Sequence, residues 1–172
     1  MLIACYIGDH AKDDILTRIG WAGTRIVQKG LYAQVTHTEA ILAVHPDGTV
    51  DIGSASLRDR GVRTKRNVRL NLKHWLIADV PQWDIERARA WFIKHDGERY
   101  DIRGAFVSWL PIMWQREKEW FCSESIAAAV GMKTPSLYGP SLLADVAFSQ
   151  GRDVTAEFFR MSANDSRFVQ AA

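Results

Sequence analysis

The chain has 172 residues, 47% of them hydrophobic and 24% charged, with a formal net charge of +2 at pH 7. That length suits one domain able to bury a core, and the composition excludes a disordered or low-complexity chain. So small a net charge also excludes a protein that gathers nucleic acid by overall charge.

From the N-terminus, MLIACYIGDHAKDD lacks a basic leader followed by a long apolar stretch, so no secretory signal peptide is expected. LIACYIG reads as a short buried strand, punctuated by Gly8-Asp9. Apolar residues at three- and four-residue spacing then predict a helix over Asp13 to Val27. VTHTEAILAVH and VDIGSAS predict a hairpin around PDGT, with Asp47 and Gly48 as a two-residue turn. In that register Pro46 faces Thr49, His37 lies opposite Arg58, and Glu39 lies opposite Ser56. Alternation puts His37 and Glu39 on one face with Ser54 and Ser56.

The segment Arg58 to Arg69 carries six arginines or lysines against one aspartate and reads as a loop or twisted edge. NLKHWLIADVP predicts a strand stopped by Pro81. Asp84 is placed to cap a helix reaching about Lys94, with Ile85, Ala88 and Phe92 inward. AFVSWLPIMW, from Ala105 to Trp114, is the longest apolar run; it is shorter than the roughly 20 residues of a bilayer span and contains a proline, so no transmembrane segment is expected. SESIAAAVG predicts a helix headed by Cys122 and ended at Gly131. A last helix, SLLADVAFSQ, is expected with Ser141 as its cap. A tail holding Phe158 and Phe159 follows, frayed from about residue 160, and no linker divides 1–172 into two domains.

A thiol at a helix N-terminus faces unpaired N–H groups and the positive end of the backbone dipole, which favour the thiolate. The same N–H groups can stabilise an oxyanion. Cys122 is therefore a candidate nucleophile, its plain alternative being a small core residue. Cys5 and Cys122 form neither a disulfide framework nor a CxxC pair, which suggests free thiols in a reducing compartment. Among the histidines, His10 and His95 stand in polar, turn-like contexts, and His45 and His74 have no acidic neighbour on their own face. His37 has Glu39 two residues on, on the same strand face, where a carboxylate can hold an imidazole's tautomer. No HExxH, paired CxxC or calcium-type acidic loop occurs, so no metal or other cofactor is expected. Aromatic residues do not interleave with the basic segment, which argues against a single-stranded nucleic-acid partner. Trp109, Trp114, Trp120 and Phe121 could line a groove beside Cys122 or belong to the core.

The order VTHTEAIL, ERYDIRGAF, EWFCSESIAAAVG resembles the circularly permuted branch of the NlpC-type papain-like cysteine hydrolases, including hydrolase-like proteins of bacteriophages and prophages. The resemblance runs from about Tyr6 to Leu143. It implies an α+β, papain-like domain in which the Cys122 helix packs on an antiparallel sheet carrying His37. Cys122 would be nucleophile and His37 base. The family's third polar residue lies on the strand next to the histidine, where the register offers Ser54 or Ser56, and Asp51 only if a bulge turns it; the chain departs from the family in having no acid or histidine facing that way, and Glu39, on the histidine strand itself, is the preferred substitute. Tyr100 resembles the family's tyrosine near the active centre, and Ser56 and Glu124 are further candidates for contact with substrate. The implied activity is cleavage of an amide bond, with a peptide linkage in peptidoglycan as substrate, inside a host cell or in a phage tail with other tail proteins as partners. Acyl transfer or lipid hydrolysis on the same fold, and a tail component with little turnover, are the alternatives.

Overall fold

β1 (Leu2–Tyr6) lies inside the sheet, pairing antiparallel with β2 (His37–Val44) on one side and with β5 (Trp75–Asp79) on the other. The computed structural model describes residues 1–8, 32–71, 73–102 and 118–164. Beyond β2 come β3 (Val50–Ser56), β4 (Gly61–Val68), β6 (Arg99–Tyr100) and β7 (Glu119–Trp120), and β8 (Arg152–Asp153) follows β5. The eight strands run in the order β7-β6-β4-β3-β2-β1-β5-β8, antiparallel throughout except for the short parallel pair β6–β7. With four α-helices among the described residues, the fold is mixed α+β.

Both faces of the sheet are buried, because apolar residues line the β1, β2 and β5 region on each side. Ile3, Ala40, Leu42, Ala55 and Ala78 pack against α1 (Ile85–Lys94), α2 (Cys122–Ala129) and α3 (Pro140–Gln150). On the other side Ala4, Ile41, Ile52 and Ile77 meet Val154 and Phe158, the latter from α4 (Thr155–Asn164). The Asp84 carboxylate caps α1 by accepting from the N–H groups of Glu86 and Arg87, and Ala88 and Phe92 turn inward. The Ala-rich α2 can lie close to β2 and β3 because its inward residues are small. No helix among the described residues is long and apolar enough to cross a membrane.

Several expectations change. The hairpin turn holds three residues rather than two: His45 N–H donates to the Thr49 carbonyl at 2.8 Å, and Gly48, at φ +76°, supplies the left-handed residue. Pro46 therefore does not face Thr49. A bulge between Ile41 and Ala43 shifts the register again, so that Ile41 pairs with Ile52 and Ala40 with Gly53. The expected opposition of His37 to Arg58 and of Glu39 to Ser56 is thus wrong by two residues, although the face assignment survives an even-numbered shift. Of the loop or twisted edge expected over Arg58–Arg69, most is strand β4, which lies between β3 and β6 rather than at the sheet edge, with positive φ at Arg60 and Asn67 near its two ends.

The cap of α3 is Gly139, with Pro140 in the first turn, and Ser141 is buried inside the helix. The tail is helical over Thr155–Asn164 (α4), opened by Asp153 accepting from the Thr155 N–H at 2.8 Å, and residues 165–172 lie outside the described residues. The expected helix over Asp13–Val27, residue His10, and the apolar segment after Ile102 with Trp109 and Trp114 lie outside the described residues.

Gly53 is the last β3 residue to pair with β2, and a β-carbon there would sit 2.8 Å from Cδ2 of Phe92 and 3.0 Å from Cδ1 of Leu42. Gly53→Ala should therefore lower stability by about 1–3 kcal/mol through overpacking. Urea unfolding measures this, and an unchanged midpoint would mean that the ring yields freely.

Candidate active site

The β2–β3 ladder stops at Ala40–Gly53, although both strands continue beyond it. Past that point their polar backbone groups need other partners, since a buried unpaired N–H or C=O is costly. Three substitutes are present. Ser54 Oγ donates to the Thr38 carbonyl at 2.8 Å. The Ala55 N–H donates to Ser125 Oγ at 3.2 Å, and Ser125 Oγ donates in turn to the Cys122 carbonyl at 2.7 Å. The N–H of Thr38 hydrogen-bonds the Cys122 sulfur. The N-terminus of α2 thus occupies the opening between the strands and holds its first residue against β2.

His37 stands on β2 at the mouth of this opening, and its ring shares a side-chain hydrogen bond with the Cys122 thiol. Its Nε2 donates to Glu39 Oε1 at 2.7 Å, which leaves Nδ1 as the nitrogen for the sulfur. The Glu39 carboxylate is gripped from its far side by Arg63 of β4, with Nη2 to Oε1 at 2.6 Å and Nη1 to Oε2 at 2.7 Å. Arg63 Nε donates to Asp59 at 2.8 Å, and Lys65 Nζ lies 2.6 Å from the same Asp59 oxygen. Arg63 pairs in register with Ser54, on the sheet face that Glu39 and His37 share by alternation.

The charges follow from these contacts. Only 4% of the Glu39 side chain is exposed, and burial would push its carboxyl up; His37 and Arg63 outweigh burial and hold it at about 2. Burial likewise opposes charge on His37, but the Cys122 sulfur and the Glu39 carboxylate push it up to about 9. The Cys122 thiol would also be raised by burial, and is instead held below its ordinary value by His37 and by the N–H groups of Thr38 and Ser123. Cys5 shows the contrast: buried beside a charged neighbour with no such partners, its thiol is pushed up. Both cysteines are free. The hydroxyls of Thr38 and Ser123 make no hydrogen bond among the described residues, so only the backbone of these two residues serves the sulfur.

Tyr100, from β6, is close enough to Cys122 to feel it: burial, then the negative charge of Cys122, Asp101 and Glu124, pushes the phenol up. Glu124, in the first turn of α2, accepts from the Phe121 N–H at 3.3 Å, and burial together with Asp101 raises its carboxyl to about 7. Glu124 therefore caps the Cys122 helix from a buried position.

The remaining candidates stand elsewhere. Ser54 spends its hydroxyl on the Thr38 and Ala55 carbonyls. Ser56 ends β3 opposite Gly61, and its side chain makes no hydrogen bond to another described residue. Despite the bulge, Asp51 is bonded to His45 Nε2 at 2.8 Å near the hairpin turn, so His45 does have an acidic partner. His95 is not simply solvated: it stacks on Trp91 at 4.3 Å and bonds Glu98 at 2.9 Å. Trp120 packs edge-on to Trp91, and Phe121 is buried. Arg63 is not singled out by a segment that reads as a loop or twisted edge. The register of β3 with β4, which puts it beside Ser54, was the signal that could have found it. Among the described residues no group of three or more His, Cys, Asp or Glu side chains converges to hold a metal ion.

No family model, curated protein or solved structure matches the chain.

Glu39→Gln should lower stability at pH 7 by about 3–5 kcal/mol, because Arg63 and a charged His37 lose their shared counter-charge in a buried setting. The Glu39 carboxyl sits at about 2 in the fold against an ordinary 4.5. Its stabilisation is therefore complete above roughly pH 4.5 and disappears as pH falls through about 2. Urea unfolding of the two proteins should differ most at neutral pH and converge on acidification; a gap independent of pH would mean that Glu39 is not held as an anion.

Proposed function

We propose that the protein is a cysteine hydrolase that cleaves an amide bond through a thioester intermediate. The observation that carries this is the chain of contacts from Cys122 at a helix N-terminus, through the His37 ring, to the Glu39 carboxylate. Desolvation alone would leave a buried cysteine inert. Here it has a base within hydrogen-bonding reach, and the base has an acidic partner on its other nitrogen, the arrangement that activates a weak nucleophile.

In the first half-reaction the Cys122 thiolate attacks the carbonyl carbon while His37 holds the proton taken from sulfur. The N–H of Cys122, at the head of α2, is the donor available to the oxyanion. Collapse breaks the C–N bond, and the His37 imidazolium gives its proton to the departing amine. In the second half, His37 removes a proton from water, the resulting hydroxide attacks the thioester, and the carboxylic acid leaves as sulfur is restored. Glu39 stays ionised throughout and keeps the imidazole oriented.

The order of histidine strand before cysteine helix, and the packing of that helix against β2 and β3, support a permuted papain-like architecture. The substrate, a peptide linkage of peptidoglycan, rests on the resemblance of VTHTEAIL, ERYDIRGAF and EWFCSESIAAAVG to the permuted NlpC-type enzymes.

Purified peptidoglycan incubated with the protein under reducing conditions should gain free amino groups, and Cys122→Ala should reduce the rate about a thousandfold or more. Equal release by the two proteins, or none by either, would rule out this substrate and role. In parallel, alkylation of Cys122 by iodoacetamide should rise with a midpoint below the roughly 8.5 of an ordinary thiol. The midpoint should climb in His37→Ala, and Cys5 should stay unlabelled in the folded protein.

A further inference from the structure

The contact that the hydrolytic scheme leaves unused is the grip of Arg63 on Glu39. A carboxylate whose task is to orient an imidazole needs one oxygen toward the ring. Glu39 has both oxygens engaged by a single guanidinium, and Oε1 is shared between His37 Nε2 at 2.7 Å and Arg63 Nη2 at 2.6 Å. The guanidinium is itself aimed: Nε is fixed on Asp59 at 2.8 Å, which forces the two terminal nitrogens toward β2. Such a planar fork matches a carboxylate in only one orientation, and a lysine could supply the charge but not the plane.

We propose that Arg63 is a positioning residue for the cysteine–histidine pair, fixing the Glu39 carboxylate in its plane and offsetting its charge, so that His37 is oriented without being locked as a cation. This rests on the hydrolase reading for its purpose but not for its physics. A buried, unshared carboxylate at 2.7 Å would hold the proton on the imidazole strongly. His37 must release that proton to the leaving amine, so a partly neutralised partner suits a group that works in both directions.

Among the described residues, several groups face His37. Cys122 reaches it from α2, Glu39 shares its strand, and Tyr6 is its register partner on β1. The uncharged ring of Trp75 on β5 lies 6.4 Å away. Arg63 acts from β4 through Glu39, with Asp59 and Lys65 behind it. Cys5, Tyr100 and Glu124 lie farther out around Cys122. In the full-length protein carrying Cys122→Ser, which removes the thiolate, the field at His37 comes mainly from Glu39 and whatever offsets it.

The test is the NMR titration of the His37 ring in that background, with the resonance assigned by its loss in His37→Gln. Arg63→Gln keeps hydrogen-bonding capacity but removes the charge, and should raise the His37 midpoint by about one pH unit, the ordinary size of a neighbouring-charge effect. Arg63→Lys should leave the midpoint within a few tenths. Asp59→Asn tests the same idea at a half-exposed turn and keeps the test open if Arg63→Gln does not fold. By leaving the guanidinium charge undivided on Glu39, it should move the midpoint slightly down. A midpoint that falls or stays put in Arg63→Gln, that rises as much in Arg63→Lys, or that fails to fall in Asp59→Asn overturns the proposal. Because the readout is a titration, its failure is distinct from a failure to hydrolyse peptidoglycan.

Discussion

Everything at the candidate site depends on two strands parting. Were the β2–β3 ladder to continue past Ala40 and Gly53, Thr38 would spend its N–H on β3 and no space would remain for the head of α2. Because it stops, Ser54 and Ser125 take over the backbone pairing with side-chain oxygens, and the Thr38 N–H is released to the Cys122 sulfur. These are local contacts with global consequences. They bring a residue from the second half of the chain to the start of the second strand without distorting either element, since a helix end and a parted ladder have complementary unmet hydrogen bonds.

Much of this was legible in the sequence because it depends on short-range rules. β1, β5, the Asp84-capped helix and the helix headed by Cys122 follow from apolar clustering, capping chemistry and propensity, and the His37–Glu39 alternation puts both side chains on one face however the hairpin is closed. Register was harder. One extra residue in the turn and one bulge moved the pairing by two positions in all, and neither is encoded in the pattern of apolar residues alone. Arg63 escaped for a different reason. GVRTKRNV has the charge density of a solvated loop, and it becomes a strand because Val62 is buried in the core while Arg63 finds two acidic partners. Composition describes the exposed residues of such a strand better than its role in the sheet.

The line of contacts through His37, Glu39, Arg63, Asp59 and Lys65 alternates in sign when the imidazole is protonated. Buried ion pairs of this kind are poor sources of net stability, because desolvation cancels most of what the pairing returns. Their value lies in restricting geometry. Each of the three inner charges, Glu39, Arg63 and Asp59, has a partner on both sides, so no carboxylate or guanidinium can rotate away without leaving another unpaired. The imidazole stands near the end of that line with 16% of its side chain open, the place where a proton can come and go. A line anchored at a half-exposed turn and ending on a movable proton combines rigidity with poise.

The two cysteines show how two buried thiols in one core come to differ in acidity. Cys5 and Cys122 are both buried, and Cys5 pairs in register with Thr38, the residue whose N–H meets the Cys122 sulfur. Burial by itself therefore raises both thiols alike, and proximity alone cannot separate them. Separation comes from direction. Cys5 lies within a strand whose backbone N–H and C=O groups belong to neighbouring strands, so its thiol meets hydrocarbon and the repulsion of Cys122. Cys122 opens a helix, where the Ser123 N–H is unclaimed by any earlier turn, and it faces an imidazole that a carboxylate keeps in place. Electrostatics at this site thus turns on which backbone groups the secondary structure leaves unused, and a buried thiol is made more acidic where a helix begins against a strand that has lost its neighbour.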